Sequence, residues 1–254
     1  MYDDLLFYHA YEDFYRMAAT SPAFAAYCRD AFGEDFSQDG FSDLAQIQQV
    51  LPHIPQGKPA HILDIGCGNG KMLGYLQKQT GAFIHGFDYS RQAIQTAKHL
   101  FPEHSDFQVG LIGEMDYPAA SFDVVTSMDI LYFAPDMTGL VAQIKRWLKP
   151  DGVFFAGYQE GDVIPKTNSW EESQLAKALQ ANAMVAEYTD ITYQTWQLLR
   201  KKRQAAETHR ELFLAEKQEE WYQLLMTQTE CAASDYEFFS KKYSRYLVVT
   251  RKNP

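Results

Sequence analysis

Three glycines, Gly66, Gly68 and Gly70, fall within five positions of the stretch "HILDIGCGNGKML", with Asp64 just ahead of them. Glycine is favoured where φ must be positive or where another group must come close to the main chain. A glycine turn that ends an apolar run and opens a helix presents unpaired N–H groups to a ligand. A second apolar run closes on Asp88, eighteen positions past Gly70. A carboxylate at that place accepts hydrogen bonds from both hydroxyls of a ribose. Turn and acid together point to a ligand that contains adenosine.

The pattern departs from the dinucleotide fingerprint G-x-G-x-x-G, because in "GCGNGK" the third glycine comes one position early and Lys71 takes its slot. Asp64, ahead of the turn, suits an ammonium group better than a pyrophosphate. A ligand with adenosine at one end and an amino acid at the other meets both demands. S-adenosyl-L-methionine is such a ligand.

The stretch "ILDIGCGNG" resembles motif I of the class I S-adenosylmethionine-dependent methyltransferases, and "GFDYS" resembles their strand-two acid. "SFDVVTSMDILYF" is similar to their fourth strand, and "IKRWLKPDGVFFAGY" to their following helix and fifth strand. The four motifs cover residues 61–158 in order, and Asp151 replaces a turn glycine without functional meaning. The resemblance is to small-molecule, bacterial-like members. It implies a Rossmann-like α/β sheet of seven strands, mostly parallel with the last antiparallel, with helices on both faces and added helical caps.

The same resemblance assigns roles. Asp64 lies near the methionine ammonium, while Gly66, Cys67 and Gly68 line methionine and ribose through their backbone. Asp88 holds the ribose hydroxyls and Tyr89 packs on the adenine. Ile112 and Gly113 meet the adenine edge, and Ser127 and Met128 end strand four beneath the cofactor. Gly110 and Leu111 stand where relatives carry an acid for the adenine N6, which leaves Glu114 and Asp116 as candidates. Methyl transfer is an in-line displacement that depends on alignment and water exclusion. Aromatic faces add about 0.5–2 kcal/mol each by attraction to a sulfonium or ammonium. Asp129 and Tyr132 follow strand four and are expected to handle the acceptor. Tyr11, Tyr15, Phe133, Tyr158, Trp170 and Trp196 are the substrate-side candidates.

The elements that must hold these residues are legible as strands over 61–65, 83–88, 106–109, 122–128 and 152–158. Helices over 71–79, 91–100 and 138–148 alternate with them, the pattern of a parallel sheet covered on both faces. Ahead of these, residues 2–51 read as helical, with Ser21 and Pro22 opening one helix that closes on Gly33, and another over 42–51. Beyond them come a helix over 168–183, a sixth strand over 184–192, one long charged helical stretch over 193–228, and a final strand over 244–252 suited to a sheet edge. Residues 1–55 are expected to form a helical lid, and 56–254 a Rossmann-like core with a cap inserted at about 193–240.

Composition narrows the partners. The 254 residues carry a formal net charge of −10, which disfavours nucleic acid and anionic membranes. Three scattered cysteines suggest neither a disulfide framework nor a metal site, and the start lacks a secretory pattern, so a cytoplasmic setting is expected. Cys67 and the seven histidines are read as structural. "RKKR" at 200–203 is read as a solvated face paired with the glutamates that follow. A small-molecule methyltransferase is the leading expectation. The alternatives are a non-catalytic module for S-adenosylmethionine or S-adenosylhomocysteine and an NAD-dependent oxidoreductase.

Overall fold

The computed structural model of the chain describes residue 5 and residues 7–252. One sheet of seven strands forms the centre: β1 (His61–Ile65), β2 (Phe83–Asp88), β3 (Ser105–Val109), β4 (Phe122–Met128), β5 (Leu148–Glu160), β6 (Ala186–Asp190) and β7 (Ser244–Arg251). Their spatial order is β3-β2-β1-β4-β5-β7-β6, and β7 runs antiparallel to both its neighbours. The chain order reverses between β1 and β4, so a crevice opens beyond the carboxyl ends of these two strands.

Three helices precede the sheet: α1 (Tyr8–Ala18), α2 (Pro22–Phe32) and α3 (Leu44–Gln48). Four connect its strands: α4 (Lys71–Thr80), α5 (Arg91–Leu100), α6 (Met137–Trp147) and α7 (Gln174–Ala181). Between β6 and β7 lie α8 (Thr192–Thr208), α9 (Arg210–Ala215), α10 (Glu219–Gln228) and α11 (Tyr236–Lys242). Local chemistry sets several boundaries. Ser21 Oγ accepts from Phe24 N at 3.0 Å, Pro22 occupies the first helical position of α2, and Gly33 ends it at φ 82°. The anticipated helical start at Tyr2 falls on residues 2–4 and 6, outside the described residues.

The two faces of the sheet carry separate cores. On one, Ile62, Val124 and Phe155 pack with Phe14 and Phe24 of the N-terminal helices and with Leu198 and Phe213 of the segment between β6 and β7. On the other, Leu63, Val125 and Phe154 pack against Leu140, Ile144 and Trp147 of α6 and Leu175 of α7. N-terminal helices, sheet and inserted helices therefore share one apolar interior, and the crevice lies among them.

Several elements differ from the sequence pattern. The helix expected over 42–51 stops at Gln48, and Pro52 sits in a separate 3-10 turn, Leu51–His53. The stretch 168–183 divides into a 3-10 turn at Trp170–Glu172 and α7, because the Ser173 hydroxyl accepts from Ala176 N and caps a new helix. The long stretch 193–228 breaks at His209 and again near Lys217, whose φ is 56°. The final strand is not at the edge: β7 pairs with β5 on one side and β6 on the other, and β6 is the exposed border. The "RKKR" stretch is only partly a solvated face. Arg203 pairs with Glu207 at 3.5 Å, but Lys202 turns inward and is 1% exposed.

Candidate active site

The turn after β1 is fastened to β2, where the Phe87 carbonyl accepts from Gly66 N at 2.9 Å and from Cys67 N at 3.0 Å. Gly66 has φ 74°, and a Cβ there would lie 2.6 Å from Ile130 Cγ1. Gly68 has φ 52°, and a Cβ there would strike the Tyr15 hydroxyl. These two positions demand glycine both by backbone conformation and by what crosses over them. Cys67 is buried, and desolvation pushes its thiol well above the ordinary range, which fits a structural residue.

Two buried carboxyls flank the turn. Asp88 accepts from Gly68 N at 3.0 Å through Oδ2 and from Ser90 N at 2.9 Å through Oδ1. Burial pushes its pKa up to about 6, against the pull of those hydrogen bonds. Asp64 accepts from Thr126 Oγ1 at 2.7 Å and is 3% exposed. No cation among the described residues faces it, and burial raises it to about 8, with the charges of Asp88 and Asp129 adding to the effect. A carboxyl held this way regains its charge when a cationic group arrives.

Two adjoining cavities open on these groups. The larger, about 610 Å³, is bounded by Asp64, Cys67, Gly68, Met128, Asp129 and Tyr132, among others. The smaller, about 220 Å³, is bounded by Asp88, Tyr89, Gly110, Leu111 and Ile112. Tyr11, Tyr15, Gly66, Ile130 and Phe133 belong to the walls of both. Tyr11 and Tyr15 stand one turn apart on α1 with rings stacked at 6.3 Å, and Tyr89 meets Tyr11 edge-on at 5.9 Å. Glu12 anchors α1 to the start of α5 by accepting from Ser90 Oγ at 2.6 Å.

The segment between α2 and α3 is clamped to the same turn. Lys71 Nζ donates to Asp35 Oδ2 at 2.8 Å and to Ser37 Oγ at 2.6 Å, and Asn69 Nδ2 donates to Ser37 O at 3.0 Å. Lys71, which takes the place of the dinucleotide glycine, thus has a structural use.

Most residues singled out from the sequence converge here, but some do not. Ser127 is fully buried, with Oγ donating to Ile65 O at 3.3 Å, and lies behind the cavity wall. Gly113 packs near Pro135, outside both cavities. Asp116, considered for the adenine N6, is held by Arg146 and by Trp147 Nε1, the latter at 3.1 Å, and neither it nor Glu114 lines the smaller cavity. Tyr158 and Trp170 pack with Tyr246 on the opposite face of the sheet. Successive residues of a strand point to opposite faces, so it is Gln159 that reaches the cavity. Trp196 joins Tyr193 and Tyr236 in a separate cluster, with its Nε1 donating to Ser234 O at 3.1 Å.

Asp129 lies at the cavity wall, yet its carboxylate is fully engaged. Oδ1 accepts from Arg245 Nε at 3.0 Å and Nη2 at 2.6 Å, while Oδ2 accepts from Phe41 N at 2.9 Å and Ser42 Oγ at 2.8 Å. Arg245 is 1% exposed, and its remaining N–H groups donate to Phe41 O, Gln46 Oε1 and Ser42 Oγ. Sequence reasoning missed Arg245 and Gln159. The first carried no local signal, whereas the second was recoverable from strand alternation once the inward face of β5 was fixed.

The family model described as "Methyltransferase domain" matches residues 63–156. A sterol 24-C-methyltransferase of Gibberella zeae is 32% identical over 134 residues, which are 50% of this chain and 34% of that protein. A ubiquinone biosynthesis O-methyltransferase of Thiobacillus denitrificans is 39% identical over 100 residues, 37% of this chain and 43% of that one. The chain thus spans less than half the length of these two curated relatives. Among solved structures, the Haemonchus contortus phosphoethanolamine N-methyltransferase 2 in complex with S-adenosyl-L-methionine aligns with TM-score 0.75 at 20% identity, over 95% of this chain and 60% of that one. The cyclopropane synthase MmaA2 of Mycobacterium tuberculosis aligns with TM-score 0.70 at 17% identity, over 95% and 98%.

Proposed function

Because residues 63–156 form a class I S-adenosylmethionine-dependent methyltransferase domain, whose cofactor is S-adenosyl-L-methionine, we propose that this chain methylates a small-molecule acceptor. The observation that carries this reading is Asp64: a buried carboxyl without a cation, opening on a cavity beside a glycine turn. The ammonium of the methionine moiety completes it. Gly66, Cys67 and Gly68, on the wall of the larger cavity, border methionine and ribose. Asp88 turns its carboxylate to the ribose hydroxyls, and Tyr89 and Ile112 enclose the adenine in the smaller cavity.

Bound there, the cofactor supplies a methyl group on a positively charged sulfur. The chain's own residues align the acceptor and keep water out. Tyr11 and Tyr15, on the wall common to both cavities, offer aromatic faces to positive charge. Residues 1–55 act as the lid and 193–240 as the cap that together close the site. Tyr132 and Phe133 border the acceptor. Asp129 positions the segment around Phe41 and Ser42 and does not serve as the acceptor's base, since all of its hydrogen-bonding capacity is engaged. A cytoplasmic enzyme acting on metabolites fits the acidic surface. Among the described residues no helix is long and apolar enough to cross a membrane.

Thermal shift with S-adenosylmethionine, S-adenosylhomocysteine and NAD tests the reading. Stabilisation by the first two and not by NAD supports it, and a response to NAD alone refutes it.

A further inference from the structure

We propose that the methyl acceptor is an amine carried on an apolar body, with its nitrogen held between the Gln159 amide oxygen and the Asp162 carboxylate; this rests on the methyl-transfer reading above. Gln159 is 5% exposed and lines the larger cavity, yet its Oε1 has no hydrogen-bond partner. A buried acceptor left unmet is costly unless a ligand brings a donor. Asp162, exposed just beyond β5 at the mouth of the same cavity, makes no hydrogen bond or ion pair among the described residues. Tyr11, Tyr132 and Tyr243 line the same cavity. An unpartnered buried amide oxygen, a carboxylate at the mouth and aromatic side chains on the wall together suit an N–H-bearing cation.

The cations nearby leave little for an anionic acceptor. Lys202 pairs with Asp39 at 3.4 Å, donates to Gly40 O at 3.3 Å and lies between the Phe32 and Phe41 rings. Arg245 is saturated by Asp129 and its neighbours. No histidine lines the cavity among the described residues and Asp129 is fully engaged, while the Asp162 carboxylate is open to an ammonium. An amine bound as its ammonium loses its proton before attack rather than during it, and its lone pair is then free to react. At the rim, Phe7, Val163 and Leu224 are 51%, 41% and 42% exposed, and they offer apolar surface to the rest of the acceptor.

The step balances without a further reactant. The acceptor ammonium first loses a proton to water, and the freed lone pair forms the new N–C bond. The C–S bond of S-adenosylmethionine breaks with its electron pair passing to sulfur. S-adenosylhomocysteine and a methylated ammonium are the products.

The test uses the full chain with methyl-labelled S-adenosylmethionine and three probes of similar bulk: N-methylbenzylamine, p-cresol and benzoate. Label is expected on the amine at least tenfold faster than on the phenol or carboxylate. Asp162→Asn and Gln159→Leu are each expected to lower the amine rate at least fivefold, with an unchanged dissociation constant for S-adenosylhomocysteine. Label on p-cresol or benzoate at an equal rate, no label on the amine, or variants that leave the amine rate intact overturn the proposal. Calorimetry with S-adenosylhomocysteine on the same preparation separates the two readings. Absent binding refutes the cofactor assignment, whereas intact binding without amine labelling refutes only the acceptor.

Discussion

Arg245 on β7 grips Asp129 at the end of β4 through two hydrogen bonds, 3.0 Å from Nε and 2.6 Å from Nη2, across 116 residues of sequence. The pair is almost wholly excluded from water, and the same two side chains hold Phe41 and Ser42 of the segment between α2 and α3. Asp129 itself has φ 65°, a left-handed conformation that the clasp maintains. The cavity wall is therefore built by joining three distant parts of the chain.

Arg245→Ala leaves the Asp129 carboxylate buried and unpaired. Such a loss costs about 3–5 kcal/mol, read as a lower urea midpoint at constant m-value. Asp129→Asn tests the role of this residue separately. With a true acceptor, the variant turns over more slowly but keeps the shape of its pH–rate profile, because Asp129 positions neighbours. A vanished acidic limb would instead make it the base.

The Asp64 carboxyl gives a pH signature. In the ligand-free protein burial holds it near 8, far above its ordinary 3.8, so the folded state carries an extra proton between these values. Its contribution to stability is complete below the ordinary value and is lost as pH rises through about 8. Between pH 6 and 8 we expect the Tm of the free protein to fall by about 5 °C from this group, and Asp64→Asn to flatten the slope. Binding of S-adenosylhomocysteine at pH 7 should release about one proton, measured by calorimetry in buffers of different ionisation enthalpy. Asp64→Asn should abolish that release.

The parts legible in the sequence were those governed by local chemistry. The glycines, Asp64 and Asp88 lie within one β-α-β unit, where spacing fixes relative position. Strand and helix alternation yielded the sheet for the same reason. Arg245 was invisible because its partner comes from another strand of the sheet, and β7 read as an edge from its own alternation, which does not say that β6 pairs outside it. Tyr158, Trp170 and Trp196 were chosen as aromatic residues near strand ends, but residue type does not say which face a side chain takes. Lys202 sits in a run of basic residues whose exposed members mask the one that turns inward.

Gly68→Ala probes the approach of α1 to the glycine turn. The added methyl meets the Tyr15 hydroxyl and forces φ 52° on a residue with a Cβ. The backbone term alone is about 1–2 kcal/mol, and we expect the dissociation constant for S-adenosylhomocysteine to rise at least tenfold. Combining Gly68→Ala with Tyr15→Phe should recover part of the loss, as chemical denaturation and calorimetry would both report.

Asp88 stands between the glycine turn and the smaller cavity, where a ribose would meet its carboxylate. Titration calorimetry of S-adenosylhomocysteine into the wild type and Asp88→Ala decides it, with folding of the variant verified by circular dichroism. At least a tenfold weaker dissociation constant, about 1.4 kcal/mol, is predicted. An unaltered constant in a folded variant would contradict the assignment of this turn and its acid to the adenosyl group.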